Sequence, residues 1–343
     1  MNKPTIRLDY RYPPRRNRPK RGRWLLVLFL VVLISMVSLG LSRTRGNSRP
    51  TVESIDCLMS ASCAPAATPL LAYTDQDGTP QDWTAVLSMA PPPEIAGRAA
   101  AVIEEPCGAL LYGLNLHERL APASLTKIAT ALVAAERAMP SAMVDIRVDG
   151  AELATLTDST VMGLKPGQRL SMRDLLYGLL LPSGNDAALA IAEYVGGTVP
   201  AFTELMNDKA KRMGLRNTHF TNPHGLDEPG LYTSAFDIAI LGRELLRTPE
   251  LAATVTTRSY QPAWAGPILW NDNPLLYSYP GAQGVKIGYT DEAQQTIVAA
   301  VERQGRQLIA VVLKSTNIFQ DTPLLLDWAF AQTESACGAQ SGR

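Results

Sequence analysis

Ser124 and Lys127 stand three residues apart in LAPASLTKIATALVAAE (residues 120 to 136), where Lys127 interrupts a run of small and apolar residues that ends at Glu136. A serine hydroxyl is a weak nucleophile until a neighbouring base takes its proton, and an amine one helical turn away is such a base. The same pair has a plainer reading, in which Ser124 caps a helix and Lys127 carries its ammonium out to water. The chain has eight lysines, and this is its sole Ser-x-x-Lys.

The element that must position the pair is a helix. Leu125, Ile128, Ala129, Leu132 and Val133 recur at helical spacing, and Ala131, Ala134 and Ala135 make the opposite face apolar too, the pattern of a helix enclosed by its domain. Pro122 suits its first turn. A lysine at that end opposes the helix dipole and is costly to bury without partners.

Upstream, AAAVIEE and ALLYGLN around PCG read as a hairpin (residues 99 to 115). Ser171 with Asp174 forms a capping box for a helix through Leu181. PSGN breaks the pattern, DAALAIAEYV resumes it to Gly196, and a further helix runs from Pro200 to Met213 before Gly214. Ser234 with Asp237 caps the next. QTIVAAVE and RQLIAVVLK flank Gln304-Gly305 as a second hairpin, and Thr322 and Pro323 are expected to start a last helix, LLLDWAFAQ. Strands at both ends with helices between them predict an α+β fold whose sheet is assembled from both termini.

Three short motifs line up on these elements. Ser124-x-x-Lys127 opens the first helix, Ser183-Gly184-Asn185 sits in the break between two helices, and Lys286-Ile287-Gly288 ends GAQGVKIG, which reads as strand. Ser315-Thr316-Asn317, Lys20-Arg21-Gly22 and Lys165-Pro166-Gly167 repeat parts of the pattern in the wrong order or off a strand. Ser-x-x-Lys, Ser-x-Asn and Lys-Thr-Gly together are the signature of penicillin-binding proteins and class A β-lactamases. PASLTKIATALVAAE, LKPGQRLSMRDLLYGLLLPSGNDAALAIAEYVGG, MGLRNTHFTNPHGLDEPG and GVKIGYTDEA extend the likeness. From about residue 93 to 331 the chain resembles the serine D-alanyl-D-alanine carboxypeptidases, the low-molecular-mass penicillin-binding proteins.

The resemblance implies the β-lactamase/D,D-peptidase fold, an antiparallel sheet flanked by helices plus a helical subdomain. It also implies a division of labour. Ser124 attacks the penultimate D-Ala carbonyl, Lys127 takes its proton as a neutral amine, and Ser183 helps return it to the departing D-Ala. Asn185 holds the peptide amide and Lys286 attracts the terminal carboxylate. Gly288 belongs to the binding strand, and the N–H groups of Ser124 and Tyr289 form the oxyanion hole. Two positions depart from the family: Ile287 replaces a threonine whose hydroxyl would face the substrate carboxylate, and Gln294 replaces a glycine. Thr290 is the nearby hydroxyl that could compensate. The substrate implied is the D-Ala-D-Ala end of peptidoglycan stem peptides, with β-lactams as inhibitors and no cofactor.

The rest of the chain sets the context. Its formal net charge is zero. Residues 1 to 23 nevertheless hold nine Lys or Arg against Asp9, a net +8 that leaves −8 for the remainder. Residues 24 to 42 carry no charge; at about 1.5 Å per residue they can cross a hydrocarbon core of ~30 Å. The expected layout is a basic cytoplasmic tail (1 to 23), a transmembrane anchor (24 to 42), an extracytoplasmic linker rich in Pro, Ser, Thr and Ala (43 to 92), a catalytic domain (93 to 337) and a tail (338 to 343). That layout predicts a single-pass bacterial membrane protein with its N-terminus inside. A cleaved signal peptide is the alternative, but the apolar run exceeds the usual length and no small-x-small site follows closely. Many relatives add a β-rich domain and a C-terminal amphipathic anchor; here the N-terminal span is the tether. The basic tail sets orientation, and no nucleic-acid partner is expected.

All four cysteines follow the span and face an oxidising compartment. The family fold suggests Cys107 with Cys337, and Cys57 with Cys63 would close a small loop in the linker. Other chemistries fare worse. There is no Gly-x-Ser-x-Gly elbow, no Walker or dinucleotide loop, and no second histidine after His117-Glu118. His219 and His224 lie in a family loop and are not expected to bind metal. A β-lactamase is a weaker alternative, since no Glu-x-x-Leu-Asn segment occurs. A catalytically weakened muropeptide-binding protein and a D,D-endopeptidase are the others.

Overall fold

The computed structural model describes residues 91 to 331 and 336 to 337, together with the backbone of 73 to 74 and 80 to 81. All belong to one unit, Ala67–Arg343. The basic tail, the apolar span, the 338 to 343 tail and the Cys57–Cys63 pairing lie outside the described residues. So does the linker, apart from a two-residue antiparallel ladder of Tyr73–Thr74 with Pro80–Gln81.

Runs of consecutive apolar residues build the sheet, successive side chains going to opposite faces. Its strands are β1 (Ala99–Glu105), β2 (Ala109–Leu114), β3 (Ala282–Thr290), β4 (Gln294–Arg303) and β5 (Arg306–Ser315). The spatial order is β2-β1-β5-β4-β3, antiparallel throughout, so the N-terminal hairpin joins the C-terminal strands as the sequence predicts. Ala99, Ala101, Ile103, Val298, Ala300, Ile309, Val311 and Leu313 face the larger core. Their neighbours Ala100, Val102, Ile297, Ala299, Val301, Leu308, Ala310 and Val312 face the smaller one. The central strands are therefore buried on both faces, which explains their unbroken apolar runs.

On the larger face lie α1 (Thr126–Arg137), α2 (Gly150–Thr157), α3 (Met172–Leu180), α4 (Asn185–Gly196), α5 (Val199–Arg212), α6 (Ala235–Arg247) and α7 (Pro249–Thr256). A 3₁₀ turn, Ala123–Leu125, leads into α1. Residues 126 to 134 of α1 are all buried, and the helix packs against α3, α4, α5 and α6, as its all-round apolar sequence requires. α6 reaches the sheet at Gly242, where a Cβ would stand 2.7 Å from Val298 Cγ1. Buried Arg243 then pairs with Glu105 on β1.

The other face is covered by α8 (Ile318–Phe330) through Ile318, Leu325, Leu326 and Ala329. This helix begins a turn before the expected Thr322, and Pro323 lies inside it. The Asp321 carboxylate explains the early start: it accepts Ser315 Oγ at 2.6 Å and the Ala96 N–H at 3.0 Å, fixing the first turn to the sheet. Pro323 removes one N–H, and the carbonyl it would have bonded belongs to Phe319, which is 40% exposed and open to water.

Ser171 caps α3 by accepting the Asp174 N–H at 3.1 Å. The box is not reciprocal, however. The Asp174 carboxylate accepts Ser171 Oγ–H, Tyr260 Oη–H and the Ala263 N–H instead, tying α3 to the 260 to 263 segment. Ser234 and Thr198 cap α6 and α5 through their hydroxyls. α2, α7 and the two-residue ladder of Ser259–Tyr260 with Leu269–Trp270 are additions to the sequence expectation.

Cys107 and Cys337 form a disulfide with Cα atoms 5.4 Å apart. It joins the β1–β2 turn to the segment after α8, beside buried Glu104, whose carboxylate accepts Arg306 Nε at 2.9 Å and the Ala336 N–H at 2.9 Å. Closing a loop of 230 residues in sequence separation contributes roughly 5 kcal/mol in the chain-entropy model, less any strain. Cys107→Ser should therefore lower the denaturation midpoint markedly, and non-reducing peptide mapping of the native chain should recover the two cysteines in one linked peptide. Free thiols at both positions would refute the bond.

Candidate active site

The three motifs meet between the edge strand β3 and the N-terminal ends of α1 and α4. Ala123, just before Ser124, takes a left-handed conformation with φ +49°, which costs a residue with a Cβ roughly 1–2 kcal/mol. The turn presents Ser124 while Ala123 and Leu125 stay buried. Lys127 Nζ lies 2.9 Å from Ser124 Oγ and donates to the His224 carbonyl at 2.8 Å. Its side chain is completely buried, so the snorkelling alternative does not hold.

The loop that supplies this carbonyl is fastened from several sides. Asn222, itself buried, accepts the Gly225 N–H at 2.7 Å and donates to the Leu226 carbonyl and Glu228. Thr130 Oγ1 on α1 donates to the Pro223 carbonyl at 2.6 Å. Gly225 has φ +94°, and a Cβ there would stand 1.8 Å from the Ala123 oxygen. Only glycine lets the loop approach the Ala123–Leu125 turn so closely. His224 is buried, and burial with the Lys127 charge pushes its imidazole down to about 3. Its Nδ1 accepts the Leu226 N–H at 3.2 Å. His219 Nδ1 lies 2.8 Å from the Gly230 carbonyl oxygen. Among the described residues no group of three His, Cys, Asp or Glu is placed to hold a metal.

Ser183 (φ +63°) and Asn185 are nearly buried in the α3–α4 break. Neighbouring Asp186 secures this break. Its carboxylate accepts the N–H groups of Met162, Gly163 and Leu164 at 2.8 to 2.9 Å and that of Ala187 at 2.9 Å. The 160 to 164 segment is thus fixed against the motif, and the Asn185 N–H completes the join by donating to the Thr160 carbonyl at 2.9 Å.

On β3, Lys286 and Gly288 pair with Val298 and Thr296 and face the helical layer. A Cβ on Gly288 would stand 2.8 Å from Ser124 N, so this glycine lets the strand edge lie against Ser124. Lys286 is completely buried, and Asp272 holds its Nζ at 3.2 and 3.3 Å. The Asp272 N–H donates to the Leu181 carbonyl at 3.1 Å, two residues before Ser183. This aspartate therefore links the Ser183 break to Lys286.

Two site residues behave differently from the simplest expectation. Ile287 pairs with Ile297 and packs into the core beneath α8, so apolar packing accounts for it. The Thr290 hydroxyl does not replace the missing one. It donates to Asp227 at 2.6 Å and accepts the Ala293 N–H at 3.1 Å, bracing the β3–β4 turn against the 222 to 228 loop. The Tyr289 side chain is 66% exposed, leaving its backbone as the part available at the strand edge.

Asp186, Asp272, Asn222 and the His224 carbonyl were not singled out from the sequence. Asp186 had a signal, an acid in the first turn of a helix. Asp272 had none, because only the tertiary fold brings it to Lys286.

The electrostatics follow from burial. Desolvation holds the Lys127 amine well below its ordinary value, and the Lys286 charge adds to this; Asp272 and Asp186 oppose it. Burial also lowers Lys286, and Asp272 raises it back toward its ordinary value. A neutral amine next to a hydroxyl is a proton acceptor; an ammonium is not. Reaction at Ser124 should therefore rise as pH increases through the lowered Lys127 value, well below 10.5. Lys127→Arg, with a charge that cannot be lost, should reduce the rate by about 10²–10⁴-fold at every pH. Rates of adduct formation by an active-site acylating agent, followed by intact mass across pH, check both; an unchanged profile in the arginine variant would remove Lys127 from the role of base.

A family model described as D-alanyl-D-alanine carboxypeptidase matches residues 86 to 317. The D-alanyl-D-alanine carboxypeptidase DacF of Bacillus subtilis is 38% identical over 246 residues, which are 69% of this chain and 63% of that protein. The D-alanyl-D-alanine carboxypeptidase DacD of Escherichia coli is 36% identical over 65% of this chain and 59% of its own. The chain thus spans about six-tenths of these relatives. Among solved structures, the Streptomyces K15 DD-transpeptidase superposes with a TM-score of 0.66 at 31% identity, covering 71% of this chain and 100% of that one. Penicillin binding protein 6B from Escherichia coli gives 0.65 at 35% identity, covering 70% and 78%. By this family model and these relatives, with the β-lactamase/D,D-peptidase fold, the chain belongs to the D-alanyl-D-alanine carboxypeptidase family.

Proposed function

We propose that this protein is a serine D-alanyl-D-alanine carboxypeptidase acting on peptidoglycan stem peptides through an acyl-enzyme at Ser124. The observation that carries this is the 2.9 Å approach of Ser124 Oγ to the buried amine of Lys127, beside the edge strand that bears Lys286 and Gly288. Lys127 Nζ takes the hydroxyl proton as Oγ attacks the penultimate D-Ala carbonyl. The N–H groups of Ser124 and Tyr289 hold the developing oxyanion. Asn185 binds the peptide amide, and Ser183 relays the proton to the departing nitrogen as the C–N bond breaks. Water then hydrolyses the ester and frees Ser124. A β-lactam opens by the same attack, but its leaving nitrogen stays tethered, so the adduct persists.

Penicillin should add one β-lactam mass to the protein, and a D-Ala-D-Ala pentapeptide should release D-Ala. Ser124→Ala should abolish both. Labelling that survives in the alanine variant would reject Ser124 as nucleophile.

We also propose that residues 24 to 42 anchor the catalytic domain outside the membrane, with residues 1 to 23 inside. The +8 flank and the charge-free span support this. Among the described residues no helix is long and apolar enough to cross a membrane. Protease added to spheroplasts should digest the catalytic domain and spare an N-terminal tag. A mature chain beginning after residue 42 would instead mark a cleaved signal peptide.

A further inference from the structure

Two buried lysines serve this site, and the proposed reaction needs them in opposite states. Proton transfer from Ser124 requires Lys127 as an amine, whereas holding a terminal carboxylate requires Lys286 as an ammonium. Burial does not separate them: both lysines are 0% exposed, and desolvation disfavours the charged form of each. Their partners do separate them. Lys127 Nζ meets two uncharged groups, the Ser124 hydroxyl and the His224 carbonyl. Lys286 Nζ meets both oxygens of Asp272, at 3.2 and 3.3 Å. An anion at that range favours an ammonium, and a charged Lys286 in turn disfavours a charge on Lys127.

The backbone around Asp272 keeps the carboxylate in place. Buried Asn271 donates to the Val255 and Thr257 carbonyls at 3.2 and 3.1 Å and accepts the Asn273 N–H at 3.0 Å. Asn273, also buried, accepts the Leu275 N–H at 3.1 Å. Among the described residues, the other elements packed on β3 bring no second anion to Lys286. The 3₁₀ turn offers Ser124, and β4 places Val298 beside the lysine. α7 buries Leu251, Thr254 and Val255, while its Glu250 pairs with Arg173. In the Leu275–Ser278 turn the Tyr277 hydroxyl is engaged with the Arg258 and Asn271 carbonyls. Asp186 also acts on Lys127, but its carboxylate is occupied by four backbone N–H groups. Buried His224 is held uncharged.

We propose that Asp272 is the positioning residue that decides which of the two buried amines carries the proton: it holds Lys286 as the ammonium and so reserves the uncharged state for Lys127. The proposal rests on acyl transfer at Ser124 with the terminal carboxylate received at Lys286. The Asp272 side chain is 34% exposed and that of Lys286 0%, so a substrate carboxylate that reaches the ammonium takes the place of Asp272, which turns to water. Asp272 keeps Lys286 charged in the free protein, and the substrate keeps it charged in the complex.

The test follows D-Ala release from an N-acylated L-Lys-D-Ala-D-Ala peptide by the full-length protein in detergent across pH. The pH dependence of kcat/KM reports groups of the free protein, and that of kcat those of the complex. In Asp272→Asn, Lys286 loses its proton at lower pH, so the alkaline limb of kcat/KM should move down by about 1–3 pH units. The alkaline limb of kcat should stay in place, and the loss should appear in KM. Asp272→Glu, which restores the carboxylate, should return the kcat/KM limb toward its wild-type position. A limb that does not move in Asp272→Asn overturns the proposal. So does an equal fall in kcat and kcat/KM at every pH, the mark of a merely structural residue. If Asp272→Asn does not fold, the wild type decides. With lysine carbon-13-labelled at Cε and the two resonances assigned through Lys127→Arg and Lys286→Arg, Lys286 should remain an ammonium at a pH where Lys127 is an amine; the opposite order overturns the proposal. Turnover with an unmoved limb defeats this proposal alone. No turnover and no penicillin adduct in the wild type defeats the acyl-transfer reading, and this proposal with it.

Discussion

Lys127 places its amine between the Ser124 hydroxyl and the His224 carbonyl, at 2.9 and 2.8 Å, with no exposure to water. Desolvation disfavours the charged form of such a group, and that is the constraint from which the site follows. The amine has to stay dry, so the helix that carries it must be covered on every side. That is why α1 is apolar all round, when a surface helix would show one polar face. It also has to be held in place, and its fixed partner is a backbone carbonyl rather than a carboxylate. A carbonyl aligns the nitrogen without the full charge that would favour protonation.

The remaining charges are arranged around that dry amine. Lys286 lowers it further, while Asp272 and Asp186 work the other way. Neither aspartate is free to approach. Asp186 is surrounded by four backbone N–H groups, and Asp272 is paired with Lys286. Close packing of backbone does the rest. At Gly225 and Gly288 a Cβ would strike the turn that presents Ser124, so two strictly local absences of side chain set how near the loop and the strand edge can come.

Much of this was legible in the sequence. The strand pattern gave both hairpins and their union in one sheet, because central strands buried on both faces leave long apolar runs. The helix caps at Ser171 and Ser234 carried their own signals. The motif order named Ser124, Lys127, Ser183, Asn185 and Lys286, and the fold gathers the elements that bear them. What was not legible depends on tertiary partners. The start of α8 follows from the Asp321 bonds to Ser315 and Ala96, and no local rule weighs those against Pro323. The occupation of Thr290 by Asp227 and of Lys286 by Asp272 arises from residues 63 and 14 positions away. Periodicity has no access to pairings of that kind.

The disulfide of Cys107 with Cys337 has a topological consequence. All three motifs lie between its two ends, so they sit within one covalently closed ring of backbone. Cutting any one peptide bond inside that ring opens it without releasing a piece. A nicked molecule keeps Ser124, Ser183 and Lys286 attached to one another, and the connection between its two halves passes from the peptide backbone to a pair of sulfur atoms. After such a cut, the integrity of the site depends on the redox state of its surroundings as well as on the continuity of its chain.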